Sequence, residues 1–460
     1  MPNDFSHHPS SYRDPSGFIF EKEAVLYRQV NKIFQEHFDH FISSGCYEHL
    51  VKKGMLLAHE EVPGNLTGKE EYFKTLKPEA IPFISYPYEW SFDMLKDAAL
   101  LTLQLVKEAV GYGLILKDAT PYNIQWQKGK LIFIDTLSFE KYNEEEPWIA
   151  YRQFCESFLS PLLLMHYSKN PLQQLFLAYP DGIPLAVTRS LLPKRSRFSL
   201  HVYLHIHLHA SIAQKRPAPE KKKIKFSKQK LLNLVSSLEL LTRKLKLPAQ
   251  QSAWSDYYTE ATQRNDYLEQ KKKIIRQWLD KIQPVRTATD LGANQGEFTR
   301  LLSGQNINTI AADLDPWCVN KLYKQVKESN EKNIQPLIID LAIPSPAIGV
   351  NNEERSSIIG RTHVDLVLVL ALVHHLAIGK NISVGLLANM FRKMSKWLII
   401  EFVPGGDEKV KLMLANKKDI YTDYDEVHFE KAFSEYFSIV QKETIPGSGR
   451  TLYLMTRHEG

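Results

Sequence analysis

The chain has 460 residues, 43% apolar and 24% charged, with a formal net charge of +6; this is an ordinary globular composition, too long for one core and organised as two domains or three. Cys46, Cys155 and Cys318 stand far apart with no C-x-x-C pair, which excludes a disulfide framework and a cysteine zinc cluster. No apolar run reaches the ~18 residues of a membrane span, and Asp4, His7, His8 and Arg13 interrupt any signal core, so a cytoplasmic protein without a transmembrane segment is expected.

The amino-terminal elements begin with a hairpin that carries Gly17 and runs through Arg28, then a helix over about 30–50 and a hinge-like Tyr86-Pro-Tyr-Glu-Trp. An amphipathic helix follows over 92–110, ended by Gly111 and Gly113. Next come Asp118, Asn123 five residues later, a polar turn at Gln127–Lys130, and an apolar strand, Leu131–Ile134, ending in Asp135. This order resembles the catalytic segment of protein kinases and aminoglycoside phosphotransferases. There the first Asp orients or deprotonates the acceptor hydroxyl, and the Asn and second Asp hold Mg2+ against ATP phosphates. The resemblance implies an α+β kinase-like domain over 1–214, with Asp118, Asn123 and Asp135 as a candidate nucleotide and Mg2+ site. Three departures stand beside it: Arg28 replaces the usual Lys, Thr136-Leu137 replaces Phe-Gly, and no His-Arg precedes Asp118. Either an ATP-dependent phosphotransferase or a degenerate scaffold that selects the acceptor fits, and the missing phosphate-handling residues favour the scaffold. Asp and Asn capping a tight turn is the plain alternative.

His205, His207 and His209 alternate, and on a strand they would share one face able to hold a metal. Without an acidic or Cys partner nearby, a hydrogen-bonded structural cluster is expected instead, and no metal site is assigned. The stretch Lys215–Lys230, with Pro217 and Pro219, reads as a basic linker. An anionic-membrane or nucleic-acid contact is the sharper alternative, and the absence of interleaved aromatics speaks against nucleic acid. Helical spacing follows at Leu231–Leu241 and Tyr267–Ile282, so residues 215–284 form a basic linker and helical segment.

Residues 287–298 read Thr-Ala-Thr-Asp-Leu-Gly-Ala-Asn-Gln-Gly-Glu-Phe: a short strand, a turn with Gly292 and Gly296, and a helix start. The spacing is D-x-G-x-x-x-G, not the G-x-G-x-x-G of pyrophosphate binders, and a carboxylate at Asp290 suits a ligand with positive charge. A second strand ends at Asp313, 21 residues after Gly292, where an acidic residue meets ribose hydroxyls in dinucleotide folds. A third strand, Leu337–Ile339, ends in Asp340. Continuous apolar runs follow at Val364–Val373, closed by His374-His375-Leu376, and at Trp397–Pro404 with Glu401. Such runs are strands buried on both faces, and Phe437–Val440 with Arg450–Met455 read as an antiparallel pair at the sheet edge.

This series resembles the class I S-adenosylmethionine (SAM) methyltransferases. The resemblance implies an α/β, Rossmann-like domain over 285–460 with a seven-stranded, mostly parallel sheet. It places Asp290, Gly292, Asn294 and Gly296 around the methionine part of SAM, Asp313 on the ribose, and Asp340 and Leu341 near the adenine. Tyr257 or Tyr258 would cover the cofactor or simply pack. His374 and His375 are the first candidates for a general base toward a hydroxyl acceptor, with Glu401 next. Arg13-Asp-Pro-Ser-Gly-Phe, Tyr86-Pro-Tyr-Glu-Trp-Ser-Phe, Phe133-Ile-Asp-Thr-Leu-Ser-Phe and Ala371-Leu-Val-His-His-Leu further resemble a bacterial group of nodulation-protein-like SAM methyltransferases along nearly the whole chain. The implied activity is methyl transfer to a small-molecule or carbohydrate acceptor. A bifunctional kinase–methyltransferase stays open beside it.

Overall fold

The computed structural model describes residues 5–213, 226–248, 250, 265–415 and 423–459. The chain divides into two compact units, Met1–Pro248 with Ile348–Arg355, and Ala249–Ala347 with Ser356–Gly460.

The amino-terminal unit is α+β. Its five-stranded antiparallel sheet runs in the order Ser6–His7, Gly17–Lys22, Val25–Asn31, Tyr72–Pro78, His59–Val62. The turn of the expected hairpin is Glu23-Ala24, both with positive φ, so Gly17 lies at its base. A Cβ on Gly17 would stand 2.1 Å from the Gln29 carbonyl oxygen, so close strand approach requires glycine here. The single helix expected over 30–50 is two, Gln35–Ser43 and Cys46–Lys52, interrupted where Gly45 turns left-handed (φ 79°). Helix Phe92–Gly111 buries Leu95, Ala99, Leu103, Val106 and Val110, an i, i+4, i+8 stripe with its neighbours. Helix Lys228–Lys244 belongs to this unit: Glu239 pairs with Lys107, and Lys96 Nζ donates to the carbonyls of Arg243 (3.0 Å) and Leu245 (2.9 Å). The helical segment expected over 215–284 is therefore shared between units, because helix Asn265–Lys281 belongs to the other. Most of the basic stretch, and Trp254–Tyr258 with its proposed covering tyrosines, lie outside the described residues.

The histidine alternation is not a strand. Leu200–Ala213 is helical throughout, with a π-helical centre at Tyr203–Leu208. His205 is hydrogen-bonded to Tyr151 Oη and Ser237 Oγ, both 2.8 Å, and His207 to Ser196 Oγ at 2.8 Å. His209 stacks on Tyr151. Alternating Leu and His mimicked period two, but a helix places His205 and His209 on one side and His207 on another. Among the described residues no group of three or more His, Cys, Asp or Glu is arranged to hold a metal.

Residues Ile348–Arg355 complete this unit. Glu354 Oε2 accepts from Tyr12 Oη (2.9 Å) and Arg13 Nη2 (3.1 Å), and the Arg355 guanidinium lies 3.9 Å over the Tyr122 ring.

The carboxy-terminal unit contains a seven-stranded sheet: β1 (Thr287–Leu291), β2 (Asn308–Asp313), β3 (Ile334–Ile338), β4 (Val364–Val369), β5 (Ser395–Phe402), β6 (Phe437–Thr444) and β7 (Thr451–Arg457). Their order is 3-2-1-4-5-7-6. β1 to β5 are parallel, and β7 pairs antiparallel with both β5 and β6. Pro336 lies inside β3, which is tolerated because β3 is an edge strand with β2 as its partner. Helix Asn265–Lys281 sets Leu268, Ile275, Trp278 and Leu279 against Leu366 and Leu368 of β4 and Leu452 and Leu454 of β7. Val367 and Val369, pointing to the opposite face, are equally buried, which explains the unbroken apolar run. Chain order reverses between β1 and β4, and open α/β sheets bind ligands in the crevice at that point.

Candidate functional site

The turn after β1 keeps Gly292 (φ 79°), Asn294 (φ 49°) and Gly296 (φ 83°) left-handed, a conformation that glycine adopts without strain and asparagine tolerates. Four of its N–H groups are already engaged. Gly292 N and Ala293 N donate to the Ala312 carbonyl (2.8 and 3.0 Å), Asn294 N to Asp313 Oδ2 (2.7 Å), and Gly296 N to the Ala293 carbonyl (2.8 Å). A phosphate-binding loop presents N–H donors outward. This one presents oxygen.

A cleft of about 1140 Å³, including its open mouth, lies at the carboxyl ends of β1 to β4. Asp290, Gly292, Asn294, Asp313, Asp340 and Leu341 all line it. Gly296 does not; it begins helix Glu297–Ser303, where a Cβ would come within 2.8 Å of Leu322 Cδ1. The buried Asp290 accepts from Thr299 Oγ1 at 2.6 Å, yet burial pushes its pKa up to about 6. Burial likewise raises Asp313 to about 6, although Asp315 N (2.8 Å) and Asn294 N donate to it. Asp340 Oδ1 accepts from Ala342 N at 2.8 Å. Three carboxyls at successive strand ends form an acidic wall that a cationic, hydroxyl-rich ligand would stabilise.

The opposite wall combines Tyr267, Leu268 and Lys271 of helix Asn265–Lys281 with Leu370–Leu372, His375, Leu376 and Lys380. Behind it Glu401 is fully buried among four donors: Ala371 N (2.8 Å), Tyr267 Oη (2.6 Å), Lys271 Nζ and Arg450 Nη1 (3.4 Å). Burial works to raise the Glu401 pKa, but Lys271 and Arg450 outweigh it and hold the carboxyl down to about 2. Glu401 is thus an ionised anchor, absent from the cleft lining. It also holds the N–H of Ala371, a non-glycine residue at φ 49° where β4 meets the cleft. His375 reaches the cleft and His374 lies behind it, ring centroids 4.0 Å apart. Burial drives their pKa values down to about 4 and about 3, so both imidazoles are neutral at physiological pH.

Tyr267 and Lys271 were absent from the sequence-derived site. Lys271 carried a legible sign: it falls on the stripe Leu268, Ile275, Trp278, Ile282, three residues after the first and four before the second. A cation on an apolar stripe requires a buried anion.

In the amino-terminal unit, Asn123 Nδ2 donates to Ser138 Oγ (3.4 Å), which donates in turn to Asp135 Oδ2. Asp118 accepts from Gln153 Nε2 (3.5 Å); burial, then repulsion from Asp135, raises its pKa. The three residues therefore converge. Arg28 Nη1, however, pairs directly with Asp135 Oδ1. Burial acts to raise the Asp135 pKa, and Arg28 and Ser138 overcome this and hold it below the ordinary value.

No protein-family model matches the chain. It is 34% identical over 464 residues to nodulation protein NoeA of Rhizobium meliloti (strain 1021), covering 98% of this chain and 96% of that protein. Among solved structures it is similar to the N-methyltransferase NodS from Bradyrhizobium japonicum WM9 (13% identity, TM-score 0.32, 42% of this chain and 98% of that one). It is also similar to WbdD, a bifunctional kinase-methyltransferase (15% identity, TM-score 0.30), over 43% of this chain and 40% of that one. Those two structural likenesses are too remote to bear on function.

Proposed function

We propose that this chain, which belongs to the family of nodulation protein NoeA, is a SAM-dependent methyltransferase whose cofactor occupies the cleft of the carboxy-terminal unit. One observation carries the reading: the turn after β1 spends four of its N–H groups internally and offers the ligand an acidic wall of Asp290, Asp313 and Asp340. That acceptor set repels phosphate and fits an amino acid ammonium, a sulfonium and a ribose diol. In this reading Asp290 and the Gly292 turn hold the methionine part, with Asn294 beside them. Asp313 accepts from the ribose hydroxyls, and Asp340 and Leu341 border the adenine.

SAM, when bound, supplies an activated methyl group. The residues' task is then to align an acceptor and exclude water. Leu370, Leu372 and Leu376 make that end of the cleft apolar. His375 is neutral and accepts a hydrogen bond from an acceptor O–H or N–H; at a pKa of about 4 it is a weak base and mainly orients. His374 buttresses it. A small molecule or carbohydrate is the acceptor class.

For the amino-terminal unit we infer a kinase-like scaffold over a phosphotransferase. The guanidinium of Arg28 already neutralises the carboxylate that would hold Mg2+ and ATP, so a metal–nucleotide complex must displace it. Calorimetric titration of the full chain tests both statements. S-adenosylhomocysteine binding with no binding of ATP-Mg2+ is expected, and failure to bind S-adenosylhomocysteine would overturn the methyltransferase reading.

A further inference from the structure

The amino-terminal unit carries an exposed apolar row on one of its helices. On helix Leu200–Ala213, Leu200 (65% exposed), Leu204, Leu208 and Ile212 (59% exposed) recur every four residues on the solvent side. Val202, His205, Ile206 and Ala210 face inward. Phe198, 91% exposed, extends the apolar stripe immediately before the helix. Scattered exposed aliphatics need no explanation, but a continuous row with an aromatic at its end marks an interaction face.

The charge around this row identifies what it meets. Among the described residues between Lys194 and Lys230 the chain has five cations, Lys194, Arg195, Arg197, Lys228 and Lys230, and no Asp or Glu. Lys194, Arg195 and Arg197 are exposed directly beside Phe198, and Lys228 and Lys230 are exposed where the next helix begins. A second copy of this chain would bring the same positive charge and be repelled. Nucleic acid would use the charge but not a row of four aliphatic side chains. An anionic bilayer uses both, taking the apolar side chains at the acyl boundary and the cations at the headgroups.

We propose that the face made by Phe198, Leu200, Leu204, Leu208 and Ile212, with its basic flanks, docks the protein on an anionic lipid surface. The attachment is peripheral: no helix among the described residues is long and apolar enough to cross a membrane. It is independent of the methyl-transfer reading.

Co-sedimentation of the full-length protein with phosphatidylcholine vesicles, with and without about 30 mol % phosphatidylglycerol, tests it. Wild-type protein is expected to pellet with the anionic vesicles alone and to be released as salt rises from about 0.05 to about 0.5 M. Replacing Lys194, Arg195 and Arg197 together by Ala should lower the partition coefficient on the order of 100-fold, at roughly fivefold per cation. Leu200→Ser with Leu204→Ser should weaken binding at every salt concentration while the thermal melt stays at the wild-type temperature. Wild-type protein that stays in the supernatant with anionic vesicles would overturn the proposal. So would apolar variants that pellet like wild type, preferential capture by an oligonucleotide, or a wild-type dimer that the serine variants dissociate.

Discussion

Replacing Glu401 by Gln separates an anchor from a base. In the native protein its two oxygens take four donors, and two of those donors, Lys271 and Arg450, are cations almost wholly removed from water. Glutamine keeps the shape, removes the charge and turns an amide N–H toward a donor. Stranding buried cations in this way costs about 3–5 kcal/mol. For a unit of this size each kcal/mol is worth roughly 2–4 °C, so the melting transition of the carboxy-terminal unit should fall by about 10 °C. Differential scanning calorimetry of both proteins measures it. Adding Lys271→Met to the variant removes one stranded cation and should recover part of the loss. The pH dependence carries the same sign. Because the folded carboxyl titrates at about 2, its contribution is present above the unfolded value and is lost as pH falls toward 2. The variant should therefore show a flatter acid limb than wild type. A Glu401→Gln protein that melts with wild type and has lost turnover would refute the anchor and return Glu401 to the catalytic candidates.

Asp313→Ala should weaken SAM binding by ~1–3 kcal/mol in a titration, the worth of a charge-assisted hydrogen-bond pair; unchanged affinity would remove Asp313 from the site. Since Asp290 and Asp313 titrate near 6, SAM affinity should rise as pH goes from about 5 to about 7.5 and these groups ionise; a flat profile would show that neither carboxylate meets the positive charge. His375→Ala should reduce turnover by ~10²-fold with SAM affinity retained, and His374→Ala by less, because only His375 reaches the cleft; the reverse ranking would reassign the pair. Arg28→Ala should open Asp135 to cations, giving Mg2+-dependent nucleotide binding that is expected to be absent from a calorimetric titration of wild type; equal binding by both proteins would mean that the Arg28–Asp135 pair does not block nucleotide.

The carboxy-terminal sheet was legible because parallel strands buried on both faces leave long apolar runs, and their ends carry Asp290, Asp313 and Asp340. The turn residues Gly292 and Asn294 were legible because few residues accept positive φ. β3 was displaced by a few residues because Pro336 reads as a breaker, and its edge position, which makes proline acceptable, is a tertiary fact. The histidine run was legible as a hydrogen-bonded cluster because no acidic or Cys partner stands near it in sequence; its helix was hidden by the period-two composition, and its partners Tyr151, Ser196 and Ser237 are distant in sequence or on another element. Glu401 stood at a strand end where reacting groups are common; that four donors enclose it depends on Tyr267, Lys271 and Arg450, which are 134, 130 and 49 residues away in sequence.

The eight residues Ile348–Arg355 give the chain an unusual grammar. The polypeptide leaves the amino-terminal unit after Pro248, returns at Ile348 and leaves again after Arg355, so neither unit is a contiguous stretch of sequence. A truncation after residue 248 strips Tyr12, Arg13 and Tyr122 of Glu354 and Arg355. A fragment beginning at 249 carries those eight residues with nothing of their own unit to fold against. No single cut in the gene yields two whole units, and a deletion that silences one is bound to leave a wound in the other.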